Sequence, residues 1–246
     1  MAISVDRVYQ TVLAIANKEQ RGYVTPLEFN LLANQASLDI FEQYFYDKSQ
    51  SERSPGNSTA YSDTEHMVNE KIAVFAIEEE LTVVGGGHNL PRDLYILGSV
   101  VFTDNTGIRR ECEEVSAAEF LRMRNYPLTA PTNKRPVYIR FRSPGLTSGI
   151  ESGIRVHGDG GAVITTPIRC DYIKVPDKVE WGYDVVAEKA LYNAAPNRTI
   201  NFEHHPADET TLVMKILELA GVIVQDPGLI QYADQEDLKK IQQKKA

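Results

Sequence analysis

The sequence predicts an α+β protein in which helices at both ends of the chain form a bundle around a largely antiparallel β-rich middle region. Apolar residues recur at helical spacing near both ends, whereas alternating apolar residues and turn residues dominate the middle. The strand–helix alternation of a parallel βαβ sheet is absent. We therefore expect a helical part over 1–80 that packs with 208–221, a small β-sandwich or barrel over 81–200, and C-terminal helices over 201–246.

The N-terminal part predicts three helices. Apolar residues from 5 to 16 recur at steps of three and four, which places them on one helix face. The second helix has the clearest start signal, because Thr25 and Glu28 form a capping box with proline between them at the first helical position. The polar segment 49–60 predicts a loop, and a second capping box over 62–65 predicts the start of the third helix.

The middle region predicts strands joined by short turns. The three glutamates over 78–80 are interpreted as the charged end of the third helix, and 81–84 as a short strand. The clearest hairpin joins 94–103 to 108–115 through an Asp-Asn-Thr-Gly turn. A third capping box, at Ser116, predicts a short helix, and further strands are expected over 137–141, 154–157, 162–166 and 168–175.

The last third is less regular. The segment 181–201 predicts no defined element and is interpreted as a link out of the β region. A helix is expected from Asp208, with Gly221 as its C-terminal stop, and a final helix is expected from Asp226 and Pro227 onward.

Composition excludes several classes of protein. The 246 residues include 26 basic and 34 acidic side chains, and the resulting net charge of −8 argues against a protein that coats nucleic acid. Two cysteines exclude a disulfide-rich scaffold and a four-cysteine zinc site, and free thiols are favoured over one disulfide. No apolar run is long enough to span a bilayer, and Asp6 and Arg7 interrupt any signal peptide, so we expect a soluble protein made in a reducing cytoplasm.

Residues capable of chemistry form no recognisable catalytic or metal pattern. The adjacent His204 and His205 point to opposite sides of an extended chain and are interpreted as polar residues before a helix. The glycine-rich segments 85–87 and 158–161 lack the spacing of phosphate-binding loops and are interpreted as tight β turns. Carboxylate clusters over 78–80 and 111–114 leave a lytic hydrolase as an alternative. We expect no catalytic residue, no cofactor and no metal.

Two groups of residues are candidates for contact with partners. The aromatic end of the second helix is usually core packing, but tyrosine and phenylalanine also dominate protein interfaces. The proposed interface residues are Phe41, Tyr44, Phe45, Tyr46, Leu229, Ile230, Leu238 and Ile241. The compact basic stretch suggests contact with phosphate or an acidic partner through Lys134, Arg135, Arg140 and Arg142, although an exposed strand face is the simpler interpretation.

Several segments together resemble virion structural proteins of short-tailed phages, including the crAss-like phages. The resemblance is to their head-to-tail connector, or neck, proteins and extends over most of the chain. The segments are NKEQRGYVTP at 17–26, EFN at 28–30, ANQA at 33–36, LPRDLY at 90–95, YDVV at 183–186, DET at 208–210 and KILELAGV at 215–222.

The resemblance implies a non-enzymatic ring or adaptor subunit. Such a protein assembles as a homo-oligomeric ring, commonly a dodecamer, on the portal and contacts neighbouring neck and tail ring proteins. It is made in the host cytoplasm and resides in the virion, where DNA passes without specific binding and no membrane is contacted. By analogy, the helix from Asp226 onward is the segment that docks on the portal. An adaptor or binding module absent from the virion is the other alternative.

Overall fold

The structure is a computed structural model that describes residues 2–18, 24–53, 59–104, 106–144, 150–195, 197–224 and 235. The α+β class and the largely antiparallel sheets are confirmed. The chain divides into a helical unit, formed by 1–75 and 176–246, and a β unit formed by 76–175. The expected boundary at residue 200 is therefore displaced, because the segment from Pro176 onward belongs with the helices.

The helical unit contains four of the five helices in the described part of the chain. Helix α2 contacts α3 and α5, and α1 contacts α5. Phe29, Phe41, Phe75, Phe202 and Leu212 are among its fully buried side chains. The helices are α1 (Val5–Lys18), α2 (Pro26–Arg53), α3 (Thr59–Ala73), α4 (Ala117–Asn125, in the β unit) and α5 (Glu209–Val224).

Two of the three predicted capping boxes start helices. The Thr25 amide donates to the Glu28 carboxylate at 2.9 Å, and the Glu28 amide donates to the Thr25 hydroxyl at 3.3 Å. The Thr25 amide and hydroxyl both donate to the Glu28 carboxylate, and these two bonds lower its pKa. Ser116 caps α4 by accepting from the amide of Glu119. Each box thus satisfies backbone N–H groups that a helix start leaves without intrahelical partners.

Three helix boundaries differ from the sequence prediction. The backbone of α2 continues to Arg53, and α3 is already helical at Thr59, so the predicted loop over 49–60 is largely helix where it is described. The capping box at 62–65 therefore lies inside α3 and does not begin it. Helix α5 passes Gly221 and ends at Val224, because a glycine inside a helix weakens it by only about 1 kcal/mol.

The β unit consists of two sheets with a common hydrophobic core. The first sheet has the strand order β1-β9-β4-β5 and the second β2-β3-β8-β7-β6. Buried residues of both sheets, including Val100, Cys170, Ile154 and Val156, belong to one core cluster. The strands are β1 (Ala76–Leu81), β2 (Val83–Val84), β3 (Gly87–Asn89), β4 (Leu94–Thr103), β5 (Arg109–Glu111), β6 (Glu113–Glu114), β7 (Val137–Pro144), β8 (Ile150–His157), β9 (Ile168–Lys174), β10 (Tyr183–Val186, helical unit) and β11 (Lys189–Tyr192, helical unit).

Three β predictions need correction. The glutamates over 78–80 lie in strand β1 rather than at a helix end. The predicted strand over 108–115 is divided at Cys112, because β5 pairs antiparallel with β4 whereas β6 pairs parallel with β7. The segment 162–166 forms only an isolated bridge from Val163 to His157. Proline 167 directly after this segment removes a backbone donor and so disfavours a longer ladder.

The segment 181–201 contains an antiparallel hairpin that the sequence analysis did not predict. Strands β10 and β11 pair from Tyr183 with Tyr192 to Val186 with Lys189. The hairpin forms a sheet of its own within the helical unit.

No described helix has both the length and the apolar composition required to cross a membrane.

Candidate functional site

A buried polar network crosses the helical unit. The Ser37 hydroxyl lies 2.8 Å from Nε2 of His204, and the Tyr44 hydroxyl lies 3.2 Å from its Nδ1. Tyr44 also donates to Asp208 at 2.9 Å, and the ammonium group of Lys71 donates to the other oxygen of Asp208 at 2.5 Å. The network therefore joins α2, α3 and the turn before α5.

The serine–histidine distance resembles that of a nucleophile and its general base. Ser37 and His204 are, however, both buried, so the pair is shielded from any substrate. Burial lowers the pKa of His204 to about 4, which keeps the imidazole neutral at physiological pH. Burial and the Asp208 carboxylate raise the pKa of Tyr44. We interpret the network as structural.

The two adjacent histidines are separated as expected for an extended chain. His204 is buried in the network, whereas His205 accepts the Ala207 amide at 3.2 Å and caps a 3₁₀ turn over 206–208. No group of three or more potential metal ligands occurs within the residues that the structure describes. The bond from His204 to Ser37 spans 167 positions, which is why the sequence contained no signal for it.

The pKa of His204 makes the helical unit sensitive to acid. Folding lowers this pKa from 6.5 to about 4. At pH values between 4 and 6.5 the unfolded chain therefore binds more protons than the folded chain does. We expect the free energy of unfolding to decrease by about 3 kcal/mol as the pH falls from 6.5 to 4. The free energy of unfolding, measured by urea titration, should change less with pH in His204→Gln than in the wild type. The facing Asp208, Glu203 and Lys71 remain in both proteins, so equal slopes would contradict this assignment.

A second arrangement fixes the backbone that precedes the hairpin. Asn34 of α2 accepts from the Val179 amide and donates to the Val179 carbonyl, both at 2.9 Å. One turn earlier, Asn30 accepts from the Trp181 amide at 2.9 Å and donates to its carbonyl at 3.4 Å. Two amide side chains on one helix thus each accept from a backbone amide and donate to a backbone carbonyl of an extended segment. A neighbouring β-strand would bind that segment in the same way.

Trp181 anchors this segment in an aromatic cluster. Its ring centroid lies 4.5 Å from that of Tyr9, and its indole N–H donates to Asp6 at 2.9 Å. Tyr183 and Tyr192, which face each other at the base of the hairpin, both stack on Trp181 at 5.7 Å. The base of the hairpin is therefore fixed to the rest of the helical unit through the buried Trp181.

The outer part of the hairpin has exposed apolar side chains. Val185 is 68% exposed, Val186 55% and Leu191 52%. The two-residue turn is formed by Ala187 and Glu188, which have φ values of +48° and +63°. Such turns normally contain asparagine or glycine, because a β-carbon makes positive φ costly. The hairpin therefore has an exposed apolar tip, a fixed base and a strained turn. Of the features of the helical unit, this tip is the best suited to binding a partner.

The aromatic residues proposed as an interface separate into two groups. Phe41 and Tyr44 are buried in the core, so their assignment to an interface is corrected. They face inward because α2 packs against both α3 and α5. Phe45 is half-buried and Tyr46 is exposed. The remaining four proposed residues lie outside the described part of the chain, as does the helix expected from Asp226; they are Leu229, Ile230, Leu238 and Ile241.

The four basic candidates also differ in their surroundings. Arg140 donates to Glu114 at 2.9 Å, and the same carboxylate oxygen accepts from the Tyr138 hydroxyl, so Arg140 has a structural ion pair. Lys134 and Arg135 are exposed in the turn before β7. Arg142 lies on β7 at the register position opposite Ser152, and its side chain lies outside the described part.

Both cysteines are free and buried in the β unit. Burial raises the pKa of Cys112 to about 12 and that of Cys170 to about 11. Since the thiolate is the reactive form, these residues act as small apolar side chains in the core.

No protein-family model and no curated protein matches this chain.

Proposed function

We propose that the protein is a non-enzymatic ring or adaptor subunit of the head-to-tail connector of a short-tailed phage. The resemblance in sequence motivates this proposal, and the exposed tip of the β10–β11 hairpin carries it. A subunit that remains alone in solution gains nothing from exposing Val185, Val186 and Leu191, whereas a ring subunit buries such residues against its neighbour.

Three of the seven segments that resemble connector proteins form this hairpin or bind the backbone that leads into it. The YDVV segment at 183–186 is strand β10 itself. Asn30 and Asn34, which belong to two other segments, bind the backbone that leads into it. Asp208, in a further segment, accepts from Tyr44 and Lys71. The resemblance thus includes residues that form the exposed strand and residues that fix its base.

Helix α2 provides a second exposed apolar surface in the same unit. Leu27, Leu31 and Leu38 are all exposed and lie at spacings of four and seven residues, which places them on one helix face. Ring formation by copies of one chain requires two different complementary patches on each subunit. Val185 lies on one face of the hairpin, and Val186 and Leu191 lie on the other. These surfaces and the leucine face provide different apolar patches of that kind.

The charge distribution is compatible with a conduit for DNA. The helical unit contains 14 basic and 22 acidic residues and accounts for the net charge of −8, whereas the β unit is neutral. A surface with excess negative charge lets the phosphate backbone pass without binding it.

Placing a charge on the hairpin tests the proposal. Val185→Asp should abolish or strongly weaken ring formation, because it buries a carboxylate in an apolar contact, while leaving the melting temperature unchanged. The mass of the full-length chain, alone and with the portal protein of the same phage, measures the effect. The matched control is Val83→Asp, a half-exposed valine in a strand of the β unit. Normal assembly of Val185→Asp would contradict the role of the hairpin.

A further inference from the structure

The β unit is electrically neutral, but its charges are separated. It contains 12 basic and 12 acidic residues. The sheet register and the position of α4 determine how these charges are separated. Both are properties of the β unit by itself.

The outer face of the first sheet is acidic. Alternation places Leu81, Cys170 and Val100 in the core, so the residues between them face outward. The register sets Glu78 opposite Asp171, and Val101 of β4 opposite Glu111. All four carboxylates of this face are exposed: Glu78, Glu80, Glu111 and Asp171.

Two arginines lie among these carboxylates and leave an excess of negative charge. Arg169 stands opposite Glu80 and lies 3.3 Å from Glu78 and 3.9 Å from Glu80. Arg109 is opposite Thr103 near the end of the sheet. We name this surface, comprising the four carboxylates and two arginines, the acidic face.

The opposite side of the unit is basic. Phe120 of α4 packs with Val137 of β7 in a cluster separate from the main core, so α4 covers the outer face of the second sheet. Because the two sheets share the core between them, α4 and the acidic face lie on opposite sides of the β unit. The Arg124 side chain lies beside Gly161, and Arg155 stands opposite Ile139, which packs on the cluster of Phe120 and Val137. Three more basic residues are exposed on α4 and in the loop that follows it: Arg122, Lys134 and Arg135.

Three acids and several exposed apolar side chains accompany these cations, and the first, Glu113, stands opposite Val137 on the same face. Glu119 begins α4, and Asp159 accepts from the amide and side chain of Asn133 at 2.7 and 2.6 Å. Leu128, in the loop after α4, is 96% exposed, and Leu121 and Tyr126 are exposed beside it. We name α4 and the segment 126–135, together with Arg155, the basic face.

We propose that the basic face of one copy binds the acidic face of the next copy. This inference rests on the proposed function and adds a charged contact of the β unit to the apolar contacts proposed for the helical unit. A two-fold dimer through either face would place like charges against each other, which costs several kcal/mol. A head-to-tail contact pairs opposite charges and covers the exposed Leu128. Such heterologous contacts form rings when the rotation closes.

Charge inversion tests this contact. An acid-inverted protein has Glu80→Lys and Glu111→Lys, and a base-inverted protein has Arg122→Glu and Lys134→Glu. Each alone presents like charges at the contact, so we expect self-association to weaken about tenfold or more. In an equimolar mixture every contact between the two different proteins pairs opposite charges, so the mixture should recover the assembled mass by light scattering. Recovery on mixing excludes misfolding as the cause of the loss.

The control changes the net charge by the same amount as the acid-inverted protein without altering either face. Glu65→Lys with Glu70→Lys replaces two exposed glutamates of α3 in the helical unit and should assemble as the wild type does. Inverted proteins that assemble normally, a mixture that stays dissociated, or a control that dissociates equally would each overturn the proposed contact. A wild-type protein that stays monomeric even with the portal protein would instead refute the proposed function.

Discussion

Trp181→Ala is expected to destabilise the helical unit by about 3–5 kcal/mol. The substitution removes the ring that contacts Tyr9, Tyr183 and Tyr192, and it leaves Asp6 without the indole donor. Because Trp181 is buried, the cost includes a cavity as well as the lost transfer free energy. Urea unfolding followed by circular dichroism measures the loss, since Trp181 is the chain's only fluorescent indole.

Two comparisons isolate the cause. Trp181→Phe keeps an aromatic ring and loses the bond to Asp6, so its cost should be nearer 1–2 kcal/mol, about that of one hydrogen bond to a charged group and a small volume change. Tyr126→Ala removes an exposed aromatic residue of the β unit and should change little. Equal stability of Trp181→Ala and wild type would show that the aromatic cluster does not anchor the hairpin.

Lys71→Met is expected to destabilise the helical unit by about 3 kcal/mol or more. The side chain of Asp208 is only 7% exposed, so removal of the ammonium group leaves a buried carboxylate with the neutral Tyr44 hydroxyl as its remaining donor in the network. The reverse change, Asp208→Asn, should cost less. Lys71 is 19% exposed and reaches water more readily, and the amide oxygen still accepts from Tyr44.

The double variant separates charge burial from packing. Lys71→Met with Asp208→Asn removes both charges and should recover most of the stability lost by Lys71→Met alone. Chemical denaturation of all four proteins gives the coupling energy, and Lys178→Met, an exposed lysine of the same unit, serves as a control. If the double variant is no more stable than Lys71→Met, burial of the Asp208 charge is not the cause of the loss.

The sequence predicted structure well where the signal is local. Thr25 and Glu28 form the expected capping box, and the strand over 94–103 has the bounds that its alternation indicated. The same motif at 62–65 does not mark a helix start, because α3 begins earlier, at Thr59. The glutamates over 78–80 were assigned to a helix because charge alone does not reveal cross-strand pairing with β9.

The candidate site lacked a local signal. The turn of the β10–β11 hairpin contains Ala187 and Glu188, where a sequence search expects Asn-Gly, so the hairpin was not predicted. The contacts of Asn34 with Val179 and of Ser37 with His204 span 145 and 167 positions. Such pairs become apparent only when α2 packs against the segments that contain Val179 and His204.

The connector proposal assigns this chain to a short-tailed phage, and its most direct test is the protein composition and structure of purified virions of that phage. Mass spectrometry should detect the protein in fixed stoichiometry with the portal, and electron microscopy should place it as a ring between the portal and the tail. The β10–β11 hairpin should lie within a contact to a neighbouring subunit. Absence of the protein from virions, while infected cells contain it, would contradict the proposal and favour an adaptor that acts before maturation.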